Sequence, residues 1–300
     1  MEEKDLIRVI EKVNLDYLDI LNSNEYNIGK DFSSLKKMNI LKIFEKIKRK
    51  IVLKKIKENK QEENWTEEER EELLNTDVGN KKIVIYSCIT GNYDNCKEPH
   101  YKSNNIDYIM YTSNDALGWT RKEIPDNIKK LDNPILINRY LKFHPHELFE
   151  AKYDYSIYID GNIEIISDLA VLTSLVNNRY GFAFHRHYSR DCAYDEAKFC
   201  IAYKKGNSKK IKEQMKKYET EKFPKNYGLL EGNVIVNDLK SEKAKNIMEQ
   251  IWDELNMAQT FRDQLTIPYV LWKNNIETKE ISTLGKNVYK NPKIRIERHS

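Results

Sequence analysis

The chain has 300 residues and a mass of 35.7 kDa, with 40% hydrophobic and 33% charged residues. That is ample apolar surface for a core, which excludes a wholly disordered chain. Its net charge is +4, yet residues 36–60 hold 11 Lys and Arg against Glu45 and Glu58, a local +9 that leaves −5 elsewhere. A nucleic-acid-binding core is basic over its folded part, so that partner class is excluded, and no apolar run approaches the roughly 20 residues of a membrane span.

The opening MEEKDLIRVIEK places acids where a signal peptide needs a basic start and an apolar stretch, so the expected location is cytoplasmic. Residues 1–80 are rich in Lys, Glu and Asn and carry helical periodicity. Within the basic segment, Ile40, Ile43, Phe44, Ile47, Ile51 and Ile56 recur at helical spacing with Lys and Arg opposite. Such a helix either packs its stripe on a catalytic domain or lies in the plane of an anionic lipid surface at the inner face of a membrane. Residues 58–64 resemble a linker, and Thr66 with Glu69 predicts a capping box opening a short helix to about Leu74. The division is therefore a helical, basic extension over 1–80 and an α/β domain over 81–300.

From Lys81 the periodicity changes. Strands are predicted at Ile83–Cys88, Tyr108–Tyr111, Trp119–Ile124, Ser156–Ile159, Gly181–His185 and Asn233–Val236. Helices are predicted over Asn133–Phe149, broken near His144 by Pro145, and over Cys192–Tyr203, Ser208–Tyr218, Glu242–Asn256 and Asp263–Lys273. This alternation predicts a mixed, mostly parallel sheet flanked by helices. Ligands of such sheets lie at the carboxyl ends of strands. The four cysteines form no CxxC pair and receive no role.

Four strand-end segments carry candidate chemistry. In YSCITGNYD, Gly91 permits a tight turn and Asp94 can approach a nucleotide, although an ordinary surface turn explains the same residues. In YIDGNIEI, Asp160 and Asn162 are oxygen donors of the kind a hard cation takes when it bridges a diphosphate, with Gly161 between them leaving room for a ligand; a backbone-capping turn is the simpler explanation of Asp160. His185, Arg186, His187, Arg190 and Glu196 follow a buried strand, where the cations can hold phosphate and either histidine can equally be structural. Finally, GLLEGNVIVN is followed by FRDQLTIPYVLW, in which Asp263 is either a helix N-terminal residue or a carboxylate facing a sugar hydroxyl.

Together with RYLKFHPHELF (Arg139–Phe149) and HRHYSRDCAYDEA, these segments resemble GT-A-type glycosyltransferases. More narrowly, they resemble the glycosyltransferase-like family of plant mucilage and turgor proteins with bacterial surface-polysaccharide members. The resemblance runs from Lys81 to Trp272. It implies a GT-A-like, Rossmann-type fold and transfer from a nucleoside diphosphate sugar, UDP-linked by default, to a surface-glycan or lipid-linked acceptor. It implies Mn2+ or Mg2+ on Asp160 and Asn162, with His299 as a third ligand. Asn162 stands where related proteins carry a second aspartate, and Glu164 on the same strand face is a candidate to compensate. Glu231, Gly232 and Asn233 are expected to contact sugar hydroxyls, and Arg262, Asp263 and Gln264 to face the donor. Asp263 is the first choice of base and Glu231 the second, with Arg186 and Arg190 neutralising phosphate if no metal does. The alternative from a different class is a non-catalytic nucleotide-sugar or glycan-binding module, which Asn162 keeps open because a degenerate enzyme has a weakened metal site.

Overall fold

The computed structural model describes residues 3–23, 62–91, 93–104 and 106–297. The basic amphipathic segment and His299 lie outside the described residues. Eight strands are present among them: β1 (Ile83–Cys88), β2 (Ile106–Tyr111), β3 (Thr120–Lys122), β4 (Tyr155–Ile159), β5 (Ile163–Ile165), β6 (Phe182–Arg186), β7 (Leu230–Asp238) and β8 (Ile294–Ile296). The α-helices are α1 (Glu3–Asn22), α2 (Glu67–Asn75), α3 (Asp126–Lys129), α4 (Pro134–Phe143), α5 (Pro145–Phe149), α6 (Ala193–Ala202), α7 (Ser208–Thr220), α8 (Glu242–Ala258), α9 (Asp263–Lys273) and α10 (Thr278–Ile281).

Six strands form one sheet in the order β3-β2-β1-β4-β7-β6, and β5 pairs with β8 in a second, small sheet. The β3–β2, β2–β1 and β1–β4 pairs are parallel, whereas β7 runs antiparallel to both β4 and β6. The fold is thus the expected mixed, mostly parallel α/β sheet flanked by helices.

Alternation along the strands divides the core in two. On β1, Val84 and Tyr86 face a layer containing Leu141, Ile251 and Ile267, from α4, α8 and α9. Ile83 and Ile85 face the opposite layer, with Trp65, Leu73 of α2 and the β5–β8 pair. Because β1 and β4 are buried on both faces they read as continuous apolar runs, as central strands of such sheets do.

The predicted helix ends agree with local chemistry. Thr66 and Glu69 close the capping box of α2. Asn133 caps α4 by accepting from the backbone of Ile135 and Leu136, and Pro145 separates α4 from α5 at His144. The strand predicted over Asn233–Val236 is longer at both ends, because GLLEGN, which has turn composition, is drawn into pairing with β6. The β5–β8 pair is absent from the expectation. Each strand has three residues and the partners lie about 130 positions apart, so neither carries a periodicity of its own.

The N-terminal helix is fastened to the domain by buried polar contacts. Glu11 accepts from Lys293 Nζ at 2.5 Å and from Ser167 Oγ at 2.6 Å, and Asn14 Nδ2 donates to the carbonyls of Pro292 and Ile294. None of the helices among the described residues is long and apolar enough to cross a membrane.

Candidate active site

The carboxyl end of β4 and the start of β7 meet at one edge of the sheet. Antiparallel pairing brings Ile159 opposite Val234, and the ladder continues as Asp160 N donates to Asn233 O at 2.9 Å. Tyr158 and Asp160 are two residues apart and share a face, so the Tyr158 hydroxyl reaches Asp160 Oδ1 at 3.0 Å.

That face is covered by α4, which delivers a fully buried lysine. Lys142 Nζ lies 2.6 Å from Asp263 Oδ2 and 3.4 Å from Asp160 Oδ1, over the ring of Tyr158 at 5.1 Å. Asp263 opens α9 and is itself buried. Burial alone would raise its pKa, but the charges of Lys142, Arg139 and Arg262 outweigh that and hold the carboxyl well below its ordinary 3.8. Gly232 makes this approach possible. A Cβ there would sit 2.6 Å from Asp263 Oδ2 and 3.1 Å from Lys142 Nζ.

Two arginines complete the cationic wall. Arg139, one turn before Lys142 on α4, donates to Asn138 Oδ1 and has a buried Nε without a hydrogen-bond partner. Burial lowers the pKa of its guanidinium, but Asp263 and Asp160 outweigh burial and the net shift is upward. Arg262 donates to Gln264 Oε1 at 3.0 Å, and its Nε is likewise buried and unpartnered.

Gln264 in turn donates to Glu231 Oε2 at 2.7 Å. Glu231 is buried, and its Oε1 has no hydrogen-bond partner. Burial, with Glu196 and Asp263 adding repulsion, pushes this carboxyl up to about 7 despite the Gln264 hydrogen bond. Beside it, His187 Nδ1 accepts from the backbone of Ser189 and Arg190. The ring is neutral, burial pushing its pKa down to about 3, and Nε2 lies 3.4 Å from Arg190 Nη2 and 3.5 Å from Glu231 Oε1.

The structure therefore brings together Asp160, Glu231, Gly232, Asn233, Arg262, Asp263 and Gln264. Gly91 takes a left-handed φ of 63° beside Pro134 at the end of β1, and Asp94 is buried where its charge acts on Lys97. Other candidates have protein partners. Arg186 pairs with Glu62 at 3.2 Å. Arg190 is buried against Glu196 at 2.7 Å and over the Phe199 ring at 4.1 Å. His185 is buried with Asn291 at 3.0 Å, a structural histidine. The room beside Gly161 is taken by the chain itself, since a Cβ there would meet Ile89 Cγ1 at 2.6 Å.

The expected metal ligands do not gather. Asn162 donates through Nδ2 to Glu297 O at 2.7 Å, leaving only its Oδ1 for a cation. Glu164 is held by His100 at 2.7 Å and Arg295 at 3.1 Å, so it does not compensate for Asn162. Asp160 already shares Oδ1 with Tyr158 and the Lys142 ammonium. Among the described residues no three His, Cys, Asp or Glu side chains are grouped to hold a metal ion. Among the described residues the donors left are Asp160 Oδ2 and Asn162 Oδ1, a set too small by itself to hold a divalent cation.

Lys142 and Arg139 were not among the sequence candidates. The available signal was Lys142 itself, a charged residue between Leu141 and Phe143 at the inward end of an amphipathic helix. Basic residues elsewhere in the chain are so abundant that this one does not stand out by type.

This sheet edge gathers paired carboxylates, buried cations and side-chain amides. The chain belongs to the TOD1/MUCI70 glycosyltransferase-like domain family, whose model matches residues 131–296, more than half of its length. Among curated proteins no sequence matches. Similar solved structures include the WbbM bifunctional glycosyltransferase in its apo form (11% identity, TM-score 0.42, 75% of this chain and 47% of that one). They also include the galactosyltransferase LgtC in complex with donor and acceptor sugar analogues (12% identity, TM-score 0.37, 63% and 69%) and mouse xyloside xylosyltransferase 1 in its apo form (9%, 0.37, 67% and 83%). The chain thus spans about half the length of WbbM.

Proposed function

We propose that this glycosyltransferase moves a sugar from a nucleoside diphosphate sugar, UDP-linked in the first instance, to a hydroxyl of a surface-glycan or lipid-linked acceptor. The observation that supports this reading is a set of four buried polar atoms without partners: Arg139 Nε, Arg262 Nε, Glu231 Oε1 and Asn233 Oδ1. Buried polar groups are nearly always hydrogen-bonded, so two donors and two acceptors flanking the Lys142–Asp263 pair call for a ligand rich in both. A sugar phosphate is such a ligand.

In this reading Arg139 and Arg262 receive the diphosphate as the leaving group develops charge. Gly91 and Asp94 line the nucleoside side. Gly232 and Asn233 contact the sugar, and Asp263, kept ionised by its three cations, faces the donor. A carboxylate held that far below its ordinary range is a weak base, so the acceptor proton goes to Glu231, whose affinity for a proton is matched to neutral pH. Gln264 holds Glu231 in position. Residues 1–80 form the extension and 81–300 the transferase domain; the +9 of residues 36–60 supports attachment to an anionic membrane surface. Changing Lys46, Lys48, Arg49 and Lys50 to Gln in the full chain should then abolish co-flotation with anionic liposomes, and undiminished flotation would remove the attachment.

A thermal-shift screen of nucleotide sugars tests the central claim. A ligand at about 100 times its dissociation constant adds roughly 2.7 kcal/mol, a clear rise in midpoint. Glu231→Gln should retain that rise and lose donor turnover at least a hundredfold. A chain that answers to no nucleotide sugar does not carry this function.

A further inference from the structure

We propose that Lys142, flanked by Arg139 and Arg262, is the built-in cation of the donor site, so that the chain binds the diphosphate of its donor without a divalent metal. This rests on the donor-site reading above and concerns how the same site handles charge.

The position of the ammonium is the first support. Lys142 Nζ stands 2.6 Å from Asp263 and 3.4 Å from Asp160, between the two carboxylates nearest the strand ends. A divalent cation on Asp160 would be left with Oδ2, one carboxylate width from the ammonium and the Tyr158 hydroxyl already at Oδ1. Like charges at such separations repel strongly in a water-poor site.

The side chains around it give the second support. Asn162 supplies a neutral amide in place of a carboxylate, and its nitrogen is committed to Glu297 O. Glu164 is committed to His100 and Arg295. One acidic side chain and one amide oxygen remain where a hard cation prefers more oxygen ligands. Against this, three cations, Lys142, Arg139 and Arg262, are gathered around Asp263. Both guanidinium groups keep a buried Nε free for a diphosphate, and guanidinium matches phosphate oxygens in geometry.

The third support is that the lysine is fixed. Lys142 is fully buried beneath the rings of Tyr158 and Phe143, on a helix whose end is set by Pro145. A cation held in this way needs no reorganisation when charge develops on the leaving group.

The test uses the full chain and four probes, UDP, GDP, ADP and inorganic pyrophosphate, each titrated with excess EDTA and again with Mn2+ after removal of the chelator. At least one probe should bind in EDTA with a dissociation constant within about twofold of its Mn2+ value. Lys142→Met should weaken that binding at least tenfold in either condition, while Lys142→Arg keeps most of it. Binding that appears only with Mn2+, or tightens tenfold or more with it, overturns the inference and leaves the donor site standing. Absence of binding by all four probes in both conditions overturns the donor site and this inference together. The wild-type comparison decides the question even if a Lys142 variant does not fold.

Discussion

A lysine with no solvent exposure persists only if its charge is met, and Lys142 is met by Asp263. Removing one partner of a buried pair leaves the other charged and unpaired, at a cost of about 3–5 kcal/mol, whereas replacing both with apolar side chains is often near neutral. Lys142→Met and Asp263→Leu should each lower unfolding free energy by about that amount in urea titration, and the double variant should recover most of the loss. Additive losses would show that the two do not interact.

Glu231 makes a second residue-scale prediction. Its carboxyl is raised to about 7 from an ordinary 4.5, so the unfolded chain releases this proton first as pH rises. The contribution is fully present below about pH 4.5 and is lost as pH climbs through 7. His185 and His187, both pushed down to about 3 by burial, have the opposite trend, losing stability as pH falls below about 6.5. The useful quantity is therefore the difference between wild type and Glu231→Gln. Wild type should lose on the order of 3 kcal/mol relative to the variant between pH 4.5 and 7. A flat difference across that range would mean Glu231 is ionised throughout.

At the level of elements, the start of β7 is where a strand, a helix N-terminus and α4 converge on one glycine. Gly232→Ala places a methyl group 2.6 Å from Asp263 Oδ2, so β7 or the Lys142–Asp263 pair must shift. Donor hydrolysis should fall at least tenfold, with unchanged far-UV circular dichroism and a midpoint lower by a few degrees. Full activity would place the pair outside the reaction. The same elements show what was legible in the chain. Central strands and long helices announced themselves by apolar runs, capping residues and Pro145; Asp160, Asp263 and Gln264 became candidates by their position at strand and helix ends, and Glu231 through the family resemblance. Lys142 was not legible, because its role comes from the parity of Tyr158 and Asp160 on a strand that only the fold brings beneath α4. Arg186 and Arg190 show the same limit. Sequence shows a cation after a strand, but not that Glu62 or Glu196 already neutralises it.

For the molecule as a whole, the N-terminal helix is tied to the α/β domain by buried polar contacts. Glu11 and Lys293 are both buried and paired, so Glu11→Ala should cost about 3 kcal/mol or more, and deletion of residues 1–23 at least as much. Glu11→Ala combined with Lys293→Met should be milder than Glu11→Ala alone. Equal stability of the Glu11 variant and wild type would mean that α1 contributes nothing to the native state. The flotation test of the basic segment is accordingly made by charge replacement within the full chain, because a form beginning at Lys81 would also strip Lys293 of its partner.

The same ion pair joins residues 282 positions apart. On a ribosome, α1 emerges well before β8, and at about 5–20 residues per second the helix waits tens of seconds for the strand it clasps. During that interval Leu6, Val9, Val13, Tyr17 and Ile20, already exposed in the finished protein, are joined by the uncovered Ile7 and Leu18. The nascent helix then presents a broad apolar face, with its charged residues on the other side. Chaperone demand during synthesis, rather than equilibrium stability, is where this arrangement imposes its cost.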